Sequence, residues 1–223
     1  MSKLSNYRLV QLLTKASQDD SNNEMLMNLY TRHDKYSPES FVEELRADGS
    51  NTFARIFFRS GTGVDYDEIT RDVAEKLGIE NTAISDDETK NELLIIQAAC
   101  KKYFDDLSDE EREEKLKDLG SLLGSDSKNF VNALLLGTPN ALLIAIQAVG
   151  VKVAQRIIAD ILSVIIARQA AMQFAKFFMV FVPWINALLS LWLIIDIAGP
   201  AYRKTVPSVM EIATLRLYYG NEG

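Results

Sequence analysis

Read for the spacing of its apolar positions, the chain is helical from end to end, and its helices change character part-way along. Leu9, Leu12 and Leu13 recur at helical intervals over residues 5–16, with Ser5 placed to cap the start. A polar break, SQDDSNN, separates them from Met25, Leu26, Leu29 and Tyr30, so the opening reads as a small helical hairpin. Ser37-Pro38-Glu39 is a start signal, because proline lacks an N–H where a first-turn residue needs none. That helix is expected to stop at Asp48-Gly49, and Phe53, Ile56 and Phe57 then mark another helical face. Beyond Gly61 and Gly63, Asp65 is placed to cap a helix whose inner face is Ile69, Val73 and Leu77. Residues 86–104 begin with acids and end with Lys101 and Lys102, as the helix dipole favours. Ser108 and Glu111 then form a capping box at the head of the charge-rich run SDEEREEKLKDL. No segment alternates as a strand does, and no repeat emerges.

Gly120 and Gly124, among Ser121, Ser125 and Ser127, loosen the chain, and past them the pattern turns apolar. Residues 129–151 carry no charge and are interrupted by Gly137-Thr138-Pro139, which predicts two shorter helices. Lys152, Arg156 and Asp160 follow at four-residue steps, a polar stripe on an otherwise apolar helix that suits either a solvated face or a water-filled lumen. The stretch 177–195, FFMVFVPWINALLSLWLII, again has no charged side chain. At the helical rise its length is roughly 28 Å, close to the hydrocarbon thickness of a bilayer. Phe177, Phe178, Phe181, Trp184, Leu188, Leu189, Trp192 and Ile195 are its candidate membrane-inserting residues. A buried helix of a bundle has the same composition, so both readings stand. The final helix is expected to restart near Pro207 and, being amphipathic, to pack back on the bundle.

Charge follows the same division. Residues 1–128 hold 17 basic and 27 acidic side chains, and residues 129–223 hold 7 and 4. We therefore expect an all-α multi-helix bundle with an acidic part over 1–128 and an apolar part over 129–223 that contains a highly apolar C-terminal helical hairpin. The net charge of -7 argues against a nucleic-acid partner, which needs clustered Lys and Arg. Arg168 and Lys176 flank the apolar stretch, an arrangement that suits anionic lipid headgroups.

Candidate chemistry is sparse. Cys100 stands alone in an apolar helix, which reads as a packed core thiol; His33 stands alone in TRHDKYS, which reads as a solvated loop residue. One histidine and one cysteine exclude a multi-cysteine or two-histidine metal site within one chain. The Gly61/Gly63 pair is not a phosphate loop, since no GxxxxGK[ST] surrounds it and the acids Asp65, Asp67 and Glu68 repel an anion. Hence neither cofactor nor enzymatic activity is expected. The N-terminus lacks the apolar core and cleavage site of a secretion signal, so synthesis in the cytoplasm is expected.

Two blocks carry a family likeness. EELRADGSNTFARIFFRSGTGVDYDEITRDVAEKLGIE does so through Gly61, Gly63, Tyr66 and Asp72, and AYRKTVPSVMEIATLRL through Tyr202, Arg203, Pro207 and Arg216. With these the chain resembles the YaaW-like bacterial proteins, a family compared distantly with the ubiquinol-cytochrome c chaperone. The resemblance implies a bacterial setting and no catalytic residues. The function expected first is that of a membrane-active helical protein, soluble and then inserting like a colicin-type bundle. Its sharpest form is a pore-forming toxin or defence effector, with self-association or an immunity protein as further partners. The alternative is a non-catalytic, chaperone-like assembly factor that binds another protein.

Overall fold

The structure, a computed structural model, describes residues 2–53, 63–175 and 202–219. Among these the regular structure is entirely helical. The helices are α1 (Ser2–Ala16), α2 (Asn23–Arg32), α3 (Pro38–Phe53), α4 (Tyr66–Lys76) and α5 (Glu88–Asp105). They are followed by α6 (Asp109–Leu123), α7 (Ser127–Leu136), α8 (Pro139–Val149), α9 (Val151–Ala175) and α10 (Tyr202–Tyr219). Residues 177–195, with all eight candidate inserting side chains, lie outside the described residues, and so does Gly61.

Two compact units divide the chain. One joins Met1–Glu92 to Ile194–Gly223, and the other is Leu93–Leu193. The first compact boundary falls inside α5, and the change of amino-acid character lies near residue 128.

In the unit built from the two chain ends, Leu9 and Leu13 of α1, Leu29 of α2, Phe41 and Leu45 of α3 and Val73 of α4 are fully buried. Helix α10 packs against α1, α2, α3 and α4. It begins at Tyr202 rather than at Pro207, which sits inside it and forgoes the N–H that would reach the Arg203 carbonyl. Nor is it amphipathic. Val206, Val209, Ile212 and Leu215 are buried, and so are Thr205, Ser208, Glu211 and Thr214 on the remaining faces. Its polar positions meet protein partners where the sequence pattern implied water.

Two further sequence signals were overridden. Helix α1 starts before Ser5, which is therefore a buried helical residue and no cap. Helix α3 runs straight through Gly49, where a stop was expected. A Cβ on Gly49 would lie 2.7 Å from Val64 Cγ2 and 2.9 Å from Ile69 Cγ1, so this glycine serves close approach and not termination.

Over its described residues to Pro139, the second unit follows its local sequence signals. The Ser108–Glu111 capping box is present on α6, and Cys100 is fully buried, its thiol pushed up to about 12 by that burial. Helices α7 and α8 separate at Gly137, with the Thr138 hydroxyl accepting from the Ala141 N–H at 3.2 Å and Pro139 opening α8. Gln97 of α5 donates to the carbonyls of Ala133 at 2.8 Å and Gly137 at 3.0 Å, satisfying the end of α7. Among the described residues no single helix is long and apolar enough to cross a membrane. Pro139–Val149 and Val151–Leu162 qualify together but are bent by 117°.

Glycine substitutions test this packing. At Gly63 a Cβ would stand 2.8 Å from Arg46 Cβ and 2.9 Å from its backbone carbon, whereas Gly120, inside α6, has nothing within 4 Å. Gly63→Ala is expected to cost about 1–3 kcal/mol. Gly120→Ala should instead gain about 0.4–1 kcal/mol. Urea melts of the two variants check both signs.

Candidate functional site

Helix α10 meets its neighbours through buried polar contacts at almost every turn. Near its start, Tyr202 donates to the Asp72 carboxylate of α4, with Lys76 Nζ 5.2 Å from the Tyr202 ring centre. Lys204 Nζ lies 3.7 Å from Asp48 of α3. Two turns on, Glu211 takes a two-pronged bond from Arg32 of α2, at 2.6 and 2.9 Å, matching the planar guanidinium fork. Arg216 Nε donates to Glu92 at 2.6 Å, and the Tyr66 hydroxyl of α4 donates to the other oxygen of the same carboxylate at 2.7 Å. At the end, the Tyr219 hydroxyl donates to Asp19 at 2.9 Å and accepts from Asn22 at 2.5 Å.

Tyr66, Asp72, Tyr202 and Arg216 among the motif residues fasten α10 to its neighbours. Tyr66 and Arg216 converge on Glu92, Asp72 pairs with Tyr202, and Pro207 is buried within α10. Gly63 offers its carbonyl to Arg46 Nη2 at 3.2 Å. Asp65 occupies the cap position of α4 but makes no capping bond with its side chain, which takes Asn6 Nδ2 at 2.5 Å and Arg46 Nη2 at 3.3 Å. Asn6 Oδ1 accepts from the Tyr66 N–H at 3.0 Å and so supplies the missing cap. Arg203 is half-buried near the start of α10.

His33 is the clearest correction. The expected solvated residue is 1% exposed, with Nδ1 at 2.9 Å from Asp48 Oδ2 and Nε2 at 2.9 Å from Ser208 Oγ. Its ring stands edge-on to Phe41 at 5.1 Å. Position 33 ends α2, and the sequence around it reads as a loop; only the fold brings α3 and α10 over it.

Burial sets the electrostatics. It pushes the Glu92 and Glu211 carboxyls up, against the pull of Arg216 and Arg32 respectively, and likewise raises Asp72 against its bond from Tyr202. Burial alone works to lower the Arg216 guanidinium, but Glu92 and Tyr66 hold it above its ordinary value. The Tyr66 phenol is raised by burial and by Glu92. Sequence reasoning missed Glu92, Glu211 and Arg32. For Glu92 a signal was present: it precedes Ile95, Ile96 and Ala99 on the inward face of α5, where a charge demands a partner.

In the second unit Lys152, Arg156 and Asp160, the polar stripe, are all exposed on α9. Leu136 at the end of α7 is 77% exposed and Ile144 in α8 is 68% exposed, on the charge-free run. Among the described residues no group of three or more His, Cys, Asp or Glu side chains is placed to hold a metal ion.

The raised carboxyls fix a sign for pH dependence. Where the folded chain keeps a proton that the unfolded chain has lost, stability falls as pH rises. For Asp72 the contribution is fully present below the ordinary value of 3.8 and is lost as pH rises through the folded value. Asp72→Asn removes it. The melting temperature of that variant, relative to the unsubstituted protein, should rise between about pH 4 and pH 7; a difference that is flat or falls refutes the assignment.

Comparison with known proteins agrees with the bacterial setting. One relative, a UPF0174 protein of Helicobacter pylori strain J99, is 33% identical over 198 residues, spanning 84% of this chain and 75% of the relative. A second UPF0174 protein of that strain is 30% identical over 218 residues, spanning 87% and 97%. A third, from strain ATCC 700392 / 26695, is 31% identical over 201 residues, spanning 81% and 88%. No protein-family model matches the chain, and no solved structure does. The shared name specifies neither reaction nor ligand, and on these likenesses the chain belongs to the UPF0174 family of bacterial proteins.

Proposed function

We propose that the protein is membrane-active: it folds first and then inserts apolar helices into a bilayer on a trigger, in its sharpest form permeabilising that membrane as a toxin or defence effector. The observation that supports this reading is the exposure of Leu136 and Ile144 on a helical pair that carries no charge over residues 129–149. Moving each such side chain out of water is worth about 1.5–3 kcal/mol. The exposed cations Lys152 and Arg156 on the next helix favour anionic headgroups. Residues 177–195, equally free of charge, lengthen the apolar part in sequence.

The YaaW-like likeness and its distant comparison with a chaperone favour the second reading, a non-catalytic factor that covers Leu136 and Ile144 with another protein. Neither reading uses a catalytic group or a cofactor.

Flotation with anionic liposomes and release of a trapped dye separate the two. The full chain should float and cause leakage, and the surface double variant Leu136→Asp/Ile144→Asp should float at least roughly tenfold more weakly, since each buried carboxylate near a helix centre costs about 2.5–3.5 kcal/mol. A folded full chain that neither floats nor leaks overturns the membrane reading. Equal flotation by the double variant removes these two residues from it.

A further inference from the structure

The contacts of His33 hold more than a stabilising bond. Asp48, His33 and Ser208 stand in one line of hydrogen bonds, each on a different helix region of the unit formed by Met1–Glu92 and Ile194–Gly223: Asp48 in α3, His33 just past α2, Ser208 in α10. Both links are 2.9 Å, within the reach required of a nucleophile and its base and of a base and the group that orients it. A carboxylate only accepts, so the imidazole proton is assigned to Nδ1, facing Asp48; Nε2 is then the acceptor for the Ser208 hydroxyl. Arg32 Nη1 lies 3.3 Å from the same hydroxyl oxygen and adds a fixed positive charge there.

We propose that Ser208 is a nucleophile activated by His33, with Asp48 as its positioning residue and Arg32 as the group that meets the developing oxyanion, and that the substrate class is a small carboxylic ester. This inference is independent of the membrane reading and stands or falls without it.

The roles follow from the atoms present. Ser208 Oγ forms a bond to the ester carbonyl carbon while its proton passes to His33 Nε2. The carbonyl oxygen, gaining charge, takes an N–H from Arg32 that in the resting state points at Oγ. The carbon–oxygen bond to the alcohol then breaks, and the alcohol leaves with the proton held by Nε2. Water attacks the acyl-serine, giving its proton to Nε2; that proton returns to Oγ as the acid departs. No oxidant or reductant is needed, and water is the co-reactant. Asp48 keeps the Nδ1–H directed and offsets the imidazolium that forms at each proton transfer.

Access is the physical question, because Ser208 itself is fully enclosed. The Arg32 guanidinium donates to its hydroxyl at 3.3 Å, is 16% exposed at its side chain and is held by Glu211. We take opening of the Arg32–Glu211 pair as the route by which an ester reaches the hydroxyl. The constellation is invisible in the sequence, since 15 residues separate His33 from Asp48 and 175 separate it from Ser208.

A fluorophosphonate probe supplies the test, because phosphonylation of a serine with loss of fluoride needs the activated hydroxyl and a merely structural serine does not react. The full chain is incubated with the probe at neutral pH, and the adduct is located by peptide mass spectrometry. Phosphonylation of Ser208 is expected, absent in Ser208→Ala and slowed at least roughly a hundredfold in His33→Gln. Asp48→Asn should slow it too, with Asp48→Glu recovering part of the rate. A full chain that is folded by circular dichroism and leaves Ser208 unmodified overturns the proposal, and so does labelling at an undiminished rate in His33→Gln. Because the first outcome is read on the unsubstituted protein, a variant that fails to fold does not rescue the idea.

Discussion

Burying an ionised side chain without a partner costs several kcal/mol even after the protein relaxes around it, and α10 carries Glu211 and Arg216 into the interior. The organisation of the end-to-end unit follows from that constraint. Both of these charges face an opposite charge on another helix, Arg32 for Glu211 and Glu92 for Arg216, and the paired geometries leave few other registers. Apolar contacts along α10 supply the driving force but do not choose between rotations of a helix that is buried all round. The ion pairs and the Tyr219 bonds to Asp19 and Asn22 make that choice.

Much of this was legible in the sequence, and the failures share one cause. Local signals that act through the backbone were read correctly: the Ser108–Glu111 box, the Thr138-Pro139 start and the opening at Pro38. Signals were misread wherever a partner distant in sequence replaced water or replaced a local cap. Gly49 reads as a helix stop until Val64 and Ile69 are known to press against it. Asp65 reads as a cap until Asn6, 59 residues away, takes its side chain and the adjacent N–H. His33 reads as solvated until α3 and α10 close over it. The motif residues Tyr66 and Arg216 were singled out by likeness alone, and their meaning, joint ownership of Glu92, is a property of the fold.

The order of the units along the chain adds a further constraint. The Leu93–Leu193 unit is inserted between two segments that must meet to complete the other unit. Closing so long a loop costs only slightly more than closing a short one, because the entropy grows with the logarithm of length. The penalty is kinetic: α10 follows the insert in synthesis, and until it docks, Arg32 is without Glu211 and Glu92 is without Arg216. The apolar insert is complete before the charged frame around its ends is.

That asymmetry bears on the proposed membrane reading. A bilayer offers apolar surface, so it replaces the contacts made by Leu134, Leu142 and Ile146 of α7 and α8 with contacts of the same kind. It offers no such replacement for the Arg32–Glu211 or Arg216–Glu92 pairs, whose separation leaves a buried charge uncompensated at about 3–5 kcal/mol each. The polar fastening seen on the α7–α8 hairpin is lighter: Gln97 on two carbonyls, each neutral bond worth about 0.5–1.5 kcal/mol net. Lipid therefore competes with what holds α7 and α8 and not with what holds α10. Under the proposed reading, insertion would open the Leu93–Leu193 unit, and the polar network of the unit of the two chain ends, with the Asp48–His33–Ser208 line, would oppose its opening.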